Sequence, residues 1–397
     1  LLSLSHSNTH TIQMAAFCRN PRFILSRKTL FFSTFSSSPS QFPSFRAVKS
    51  AIQSESDPVK LAEIFQSSAD FGRFCRHRPL FHLSVRKLAR SHRFDLIERI
   101  LDHQLKTNRS EGFWIRIIML YCSAGMVDHA VRTFNQMEHH NSCPRTEKSL
   151  CAVLSVYLDN KMYDKFHETF ESVPPKIGVS PGVKSYNLVL RAFCEEKRVE
   201  SARELLDKIG NEANIDSYNI LLGAVGNWVE FDGIVKELLK KGLEPNLTTY
   251  NHRILRLCKN KECVRAKKLL DEMVSKGVKP NSASYDALIF GFCKVGDLES
   301  ARKVLEGDGF VSPPSFAYYT LLRHMVEEGE FESALEMCKE IIRRKWVPPF
   351  EAMRGLVTGL IERSKAEEAK EVVDKMKKRL RGPALDSWQQ IEAALPL

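Results

Sequence analysis

Residues 248–281, TTYNHRILRLCKNKECVRAKKLLDEMVSKGVKPN, are followed at once by residues 282–305, SASYDALIFGFCKVGDLESARKVL, and the second stretch is a loose copy of the first. Tyr250 and Asn251 correspond to Tyr285 and Asp286, Cys258 to Cys293, Lys259 to Lys294 and Ala266 to Ala301, each pair 35 residues apart. A fixed period of about 20 to 50 residues marks a solenoid, in which each unit buries its apolar face only against its neighbours. Within the quoted unit, Ile254, Leu257 and Cys258 share one face of a first helix. Ala266, Leu269, Leu270 and Met273 follow at i, i+3, i+4 and i+7 on a second. Lys259 to Glu262 form the turn. Gly277 and Pro280 end the second helix, because glycine tolerates a left-handed cap and proline cannot continue a helix.

The same register places further hairpins at Glu111, Thr146, Val183, Ile215, Leu247, Ser282, Ser315 and Phe350, with a more degenerate one near Arg78. Tyr186, Tyr218, Tyr250, Tyr285 and Tyr318 mark the first turn of five consecutive copies. Pro144, Pro181, Pro245, Pro280, Pro313, Pro348 and Pro383 mark the exits. The expectation is an all-α, right-handed superhelical solenoid of eight or nine hairpins over residues 78–384. An N-terminal helical cap over 51–77 and a C-terminal capping helix over 385–397, carrying SWQQIEAAL, complete it.

Charge is unevenly spread along the 397 residues. Of the net charge of +11, +6 lies in residues 1–50, which contain Arg19, Arg22, Arg27, Lys28, Arg46 and Lys49 and no Asp or Glu. From Met14 that stretch is rich in Arg, Ser and Phe, the composition of an organellar transit peptide rather than a secretory signal; a tail without an address is the alternative. Residues 1–13 read as translated upstream sequence. The remainder is only mildly basic, which permits nucleic-acid contact without demanding it. No uncharged apolar run of about 18 residues occurs, so no membrane partner is expected.

Of ten cysteines, Cys122, Cys194, Cys258 and Cys293 recur at one place in successive copies, as small buried side chains of a repeating helix, and no C-x-x-C pair exists. A reducing compartment follows. His139 and His140 beside Cys143 lack the further ligands that would close a zinc site. After Gly382 there is neither an H-x-E and P-C-x-x-C pairing for a deaminase nor an Asp cluster for a metal-dependent nuclease. The expectation is a non-catalytic protein without cofactor, metal or small-molecule substrate.

A helical hairpin of this length fits a tetratricopeptide repeat, but the W-x-x-L-G start is missing. SYN at 185–187 and 217–219, TYN at 249–251, the second helices ARELLDKI, AKKLLDEM and ALEMCKEI, and the exits GLEPN and GVKPN resemble pentatricopeptide repeats of the pure 35-residue class. The resemblance implies binding of single-stranded RNA in organelles, one base per repeat, read by an early residue of the first helix and the last residue of the unit. Unstacked bases do offer their edges to short polar side chains in helical repeats. The early residues are Asn187, Asn219, Asn251 and Asp286. The matching last residues are Asn214, Asn246 and Asn281.

In the family's code an Asn–Asn pair resembles a pyrimidine reader, implying three successive pyrimidines over residues 183–281. The open alternative is that these asparagines are local caps and turn residues. Elsewhere Ile115 with Arg145, Leu150 with Gly182, Tyr319 with Pro314 or Pro349, and Arg354 with Ala384 are not recognisable readers. Gly112, Glu147, Lys184, Asp216, Thr248, Ala283, Phe316 and Glu351 stand at the second place, where the family sandwiches the base between small aliphatic residues.

Helix geometry nominates Arg191, Arg323, Lys259 and Lys294 as contacts to the RNA backbone, because residues four and eight after the reading place share its general direction. The basic runs IIRRK at 341–345 and MKKRLR at 376–381 put Arg343, Arg344, Lys377 and Lys378 on an outer face that could dock folded RNA or protein. The leader, the short length and the segments FESALEMCKEIIRRKWVPPF and SKAEEAKEVVDKM resemble the small pure-class members associated with plant mitochondrial ribosomes. That implies ribosomal RNA and ribosomal proteins as partners and a mitochondrial matrix location. A message-binding factor in mitochondria or plastids, or a purely protein-binding scaffold, are the alternatives.

Overall fold

The computed structural model describes residues 44–68, 74–105, 110–139, 143–306, 315–378 and Trp388. The leader up to residue 43, His140, and the expected C-terminal capping helix except Trp388 lie outside the described residues. Helices α1 (Phe45–Ser54) and α2 (Pro58–Ser67) precede nine hairpins. These pair α3 (Arg78–Arg90) with α4 (Phe94–Leu105), α5 (Glu111–Ser123) with α6 (Val127–Gln136), and α7 (Glu147–Asp159) with α8 (Tyr163–Ile177). The central hairpins pair α9 (Val183–Glu195) with α10 (Val199–Ile209), α11 (Ile215–Ala224) with α12 (Trp228–Lys240), and α13 (Leu247–Lys259) with α14 (Cys263–Ser275). The last three pair α15 (Ser282–Lys294) with α16 (Leu298–Glu306), α17 (Ser315–Glu327) with α18 (Phe331–Arg343), and α19 (Phe350–Glu362) with α20 (Ala366–Lys377). Among the described residues there is no strand.

The local chemistry explains these bounds. Eight of the nine hairpins turn through a residue with φ between 53° and 77°: His92, Gly125, Lys161, Lys197, Lys261, Gly296, Gly329 or Ser364. The fourth residue of the second helix is an alanine with no exposed surface in six units, Ala130, Ala202, Ala266, Ala301, Ala334 and Ala369. A methyl at that place lets the two helices approach closely where a larger chain would hold them apart.

Tyrosines lock the open end of three hairpins. Tyr218 donates its hydroxyl to Glu237 at 2.7 Å while Lys241 lies 5.6 Å over its ring. Tyr250 donates to Glu272 at 3.3 Å, and Lys276 pairs with that carboxylate at 3.0 Å. In the third case Arg344 stacks 4.8 Å over Tyr318 and 5.6 Å over Trp346, held by Glu340 at 2.7 Å. Arg344, expected to dock a partner on the outer face, is therefore already engaged inside its own hairpin.

Each first helix from α5 to α19 packs on the first helix of the next unit, whereas among second helices from α6 onward only α18 and α20 pack closely. Closer spacing on one side than on the other curves a stack, so the first helices line the concave face. At the N-terminal end, Val48 and Ile52 of α1 are fully buried, and Lys87 Nζ donates to the carbonyls of Ile52, Gln53 and Glu55 at 2.8–2.9 Å. The boundary expected at residue 50 thus falls inside a packed helix.

Candidate nucleic-acid interface

The candidate readers lie at the fifth place of the first helices, counting the helix's first residue as one, and three of them meet their partner asparagine. Asn187 Nδ2 donates to Asn214 Oδ1 at 3.3 Å, Asn219 Nδ2 to Asn246 Oδ1 at 3.1 Å, and Asn251 Nδ2 to Asn281 Oδ1 at 3.2 Å. Each partner asparagine is also the N-cap of the following helix, accepting from the backbone N–H of Ser217, Thr249 or Ser284. Capping, as the alternative expected, is thus a duty of Asn214, Asn246 and Asn281, and the same side chains also pair with Asn187, Asn219 and Asn251.

A third residue completes each group, and the sequence reading had missed it. Ser217 Oγ donates to Asn187 Oδ1 at 2.6 Å, Thr249 Oγ1 to Asn219 Oδ1 at 2.8 Å, and Ser284 Oγ to Asn251 Oδ1 at 2.6 Å. These hydroxyls are at the third place of their helices and have no exposed surface. The available signal was the spacing Asn-x-x-Ser/Thr at 214–217, 246–249 and 281–284. With one amide proton and one carbonyl lone pair of each reader used internally, the amide planes are fixed. Unused amide donors remain to meet a base carbonyl such as pyrimidine O2.

Asp286 has no such support. The residue at the third place of the next helix is Ala317, fully buried, where the other units have a hydroxyl, and Pro314 stands where they have the capping asparagine. Asp286 Oδ1 is buried without a hydrogen-bond partner among the described residues. Burial pushes its carboxyl up to about 6. Phe316, beside Ala317, is 59% exposed.

In the N-terminal units a carboxylate replaces the asparagine. Glu147 Oε1 accepts from the N–H of Gly182 at 2.9 Å, the N–H of Ser185 at 3.2 Å and Ser185 Oγ at 2.9 Å. Glu111 Oε1 accepts from Thr146 N at 2.9 Å and Thr146 Oγ1 at 2.7 Å. Glu147 is the first residue of α7, not the second. The expected reading place at Leu150 is accordingly corrected by one residue: Leu150 is fully buried, and Cys151 Sγ sits 3.5 Å from Ser185 Oγ, facing it as Asn187 faces Ser217 at 2.6 Å.

The cations nominated for RNA backbone contact differ in availability. Arg191 is held by Glu195 at 2.8 Å and Asp159 at 3.3 Å, and Arg323 lies 3.7 Å from Glu327. Lys259 is exposed, and Lys294 lies 5.7 Å over the ring of Phe290. Arg343 is paired with Glu340, while Lys377 and Lys378 are exposed at the end of α20. Of the recurring cysteines, Cys258 and Cys293 are buried and Cys122 and Cys194 half-buried. Burial raises all four thiols, Cys194 to about 11 and Cys293 to about 12. Among the described residues no group of His, Cys, Asp and Glu is arranged to hold a metal ion.

Models of the PPR repeat family, the pentatricopeptide repeat domain and the PPR repeat match residues 245–294, 206–261, and 113–142, 184–212 and 283–307. A mitochondrial pentatricopeptide repeat-containing protein of Arabidopsis thaliana is 32% identical over 96% of this chain and 98% of its own length. The Arabidopsis small ribosomal subunit protein mL103 (rPPR7) is 30% identical over 88% of this chain and 87% of its own. The Arabidopsis small ribosomal subunit protein mS78 (rPPR3a) is 33% identical over 42% of each chain, so the match spans less than half of that relative. The chain belongs to the pentatricopeptide repeat family.

Proposed function

We propose that this protein binds single-stranded RNA along the concave face formed by its first helices, in mitochondria, and acts by binding rather than by catalysis. The observation that carries the reading is the triple recurrence of one arrangement. At three successive interfaces an asparagine pair is held by a buried hydroxyl, with amide donors left for a base. These pairs contact three successive pyrimidines, and Lys259 and Lys294 reach the backbone beside them.

The finer role we assign is a component or associate of the mitochondrial ribosome, with ribosomal RNA and ribosomal proteins as partners. Near full-length similarity to mL103 supports it. So does the restriction of paired readers to three of nine hairpins, which suits a fixed structural RNA better than a long message-specific site. Sedimentation of a mitochondrial extract on a sucrose gradient, with and without magnesium chelation, tests the role. Co-migration with a ribosomal subunit that shifts as the particle dissociates is expected. Migration near the top, or in small nuclease-sensitive complexes, would make the protein a message-binding factor instead.

A further inference from the structure

The sequence holds a further basic stretch, apart from the runs at 341–345 and 376–381. Residues 71–94 hold seven Arg and Lys and no Asp or Glu. Two of these cations have structural duties: Lys87 caps α1, and Arg93 pairs with Asp95 at 2.7 Å. Arg78 and Arg86 do not. With His82 between them they stand at the first, fifth and ninth places of α3, a stripe of about 12 Å along the helix. All three are exposed, and neither arginine has an ion pair among the described residues.

Arg116 joins the stripe from α5. It is anchored by donating Nη1 to the Cys75 carbonyl and by lying 5.3 Å over the Phe113 ring. Its Nε is buried and donates to nothing among the described residues. Partial desolvation of the otherwise exposed ring, together with Arg116, Arg78 and Arg86, lowers the His82 imidazole, and burial and Arg78 lower the Arg116 guanidinium. Like charges are thus gathered without a counter-charge, an arrangement that disfavours the free protein and favours a bound anion.

The fifth place of α3, taken by His82, is the place that Asn187, Asn219 and Asn251 hold in their helices. The stripe therefore continues the candidate reading line to its N-terminal mouth. We propose that Arg78, Arg86 and Arg116 form an anchor for RNA phosphates that is blind to base identity. Guanidinium groups suit phosphate because they donate two parallel hydrogen bonds. The inference rests on the concave face being an RNA groove, but not on base selection by the asparagines.

The test is fluorescence anisotropy of the full chain with 20-nucleotide oligouridine and oligoadenosine from 50 to 250 mM KCl, comparing wild type, R78Q/R86Q, R78K/R86K and the second-helix control K208Q/K240Q. R78Q/R86Q should weaken both RNAs alike, about 10-fold at 100 mM, and reduce the slope of log Kd against log salt by about 1.4, at roughly 0.7 per phosphate on a single strand. The lysine pair, which keeps the charge but loses the bidentate donors, should keep the wild-type salt slope and lose less affinity than the glutamine pair; the control should stay near wild type, and circular dichroism melts should coincide. Equal losses in R78Q/R86Q and K208Q/K240Q would reduce the effect to net charge and overturn the anchor. Unchanged RNA binding in R78Q/R86Q also overturns it and leaves base reading standing; if that variant instead leaves the ribosome, the stripe contacts protein. A wild type that binds neither RNA overturns the anchor and the proposed function together.

Discussion

At Asn219 the structural and the proposed reading duty are inseparable, because its amide holds Asn246 and Thr249 through opposite ends. Changing Asn187, Asn219 and Asn251 to Thr keeps an acceptor for the buried hydroxyl while removing an amide donor. The expected outcome is a shift of preference from pyrimidine toward purine RNA with little change in salt slope, measured by competition binding. Asn219→Ala instead removes the nearer acceptor of the buried Thr249 hydroxyl, leaving it the 3.1 Å contact with Asn246, and denaturant unfolding should show a loss of about 1 kcal/mol. Asp286 behaves oppositely. Its folded value, about 6, is raised above the ordinary carboxyl value of 3.8, so its neutral form favours the fold below pH 4 and that stability is lost as pH rises through 6. Asp286→Asn should therefore raise Tm at pH 8, with the gain fading by pH 4.5; an equal gain at both pH values would contradict the burial argument. The same change removes a negative charge from the groove and should tighten RNA binding at pH 8.

At the scale of elements, helix ends are completed by the neighbouring repeat. Glu147 serves the N-terminus of α9 across 35 residues of sequence, accepting from the N–H of Gly182 itself and from that of Ser185, which Gly182, without a side-chain oxygen, cannot cap. Glu147→Ala leaves Ser185 buried without its acceptor and should cost about 1–3 kcal/mol, with hydrogen exchange quickening first at the start of α9. Helix starts were legible in the sequence because Pro, Tyr and the capping asparagines recur in register. These trans caps were not, since a glutamate beside a helix start reads equally well as a dipole partner of its own helix until the solenoid pitch sets its neighbour. Helix α1 was hidden for a different reason. Its polar face, built from Arg46, Lys49 and Ser50, shares the acid-free, Arg- and Ser-rich composition of the leader, so composition alone could not mark where Val48 and Ile52 begin to pack.

Across the whole molecule, stability in a one-dimensional stack is a sum of unit and interface terms, so cooperativity is limited by the least coupled interface. The apolar core suggests where that is. Buried clusters run from Val48 to Ala192, from Leu190 to Leu238 and from Tyr250 to Trp388, and the first two interleave along the chain while the third begins anew at α13. The same junction contains the one hairpin without a left-handed turn residue. There α11 ends at Ala224, and Arg256 of α13 reaches across to donate to the carbonyls of Val225 and Gly226. His252 packs so closely that a Cβ on Gly223 would stand 3.1 Å from its ring. Arg256 thus supplies the partner that the shortened turn lacks, and joins the Asn219 bonds to Asn246 and Thr249 and the packing of Trp228 against both cores in tying the two halves together. Arg256→Ala removes that tie without emptying either core. Calorimetry should then resolve one melting transition into two, with exchange in α13–α20 separating from exchange in α3–α12. Were the variant to melt in a single transition lowered as a whole, the coupling would have to reside in the Asn219 bonds and the packing of Trp228 rather than in the arginine.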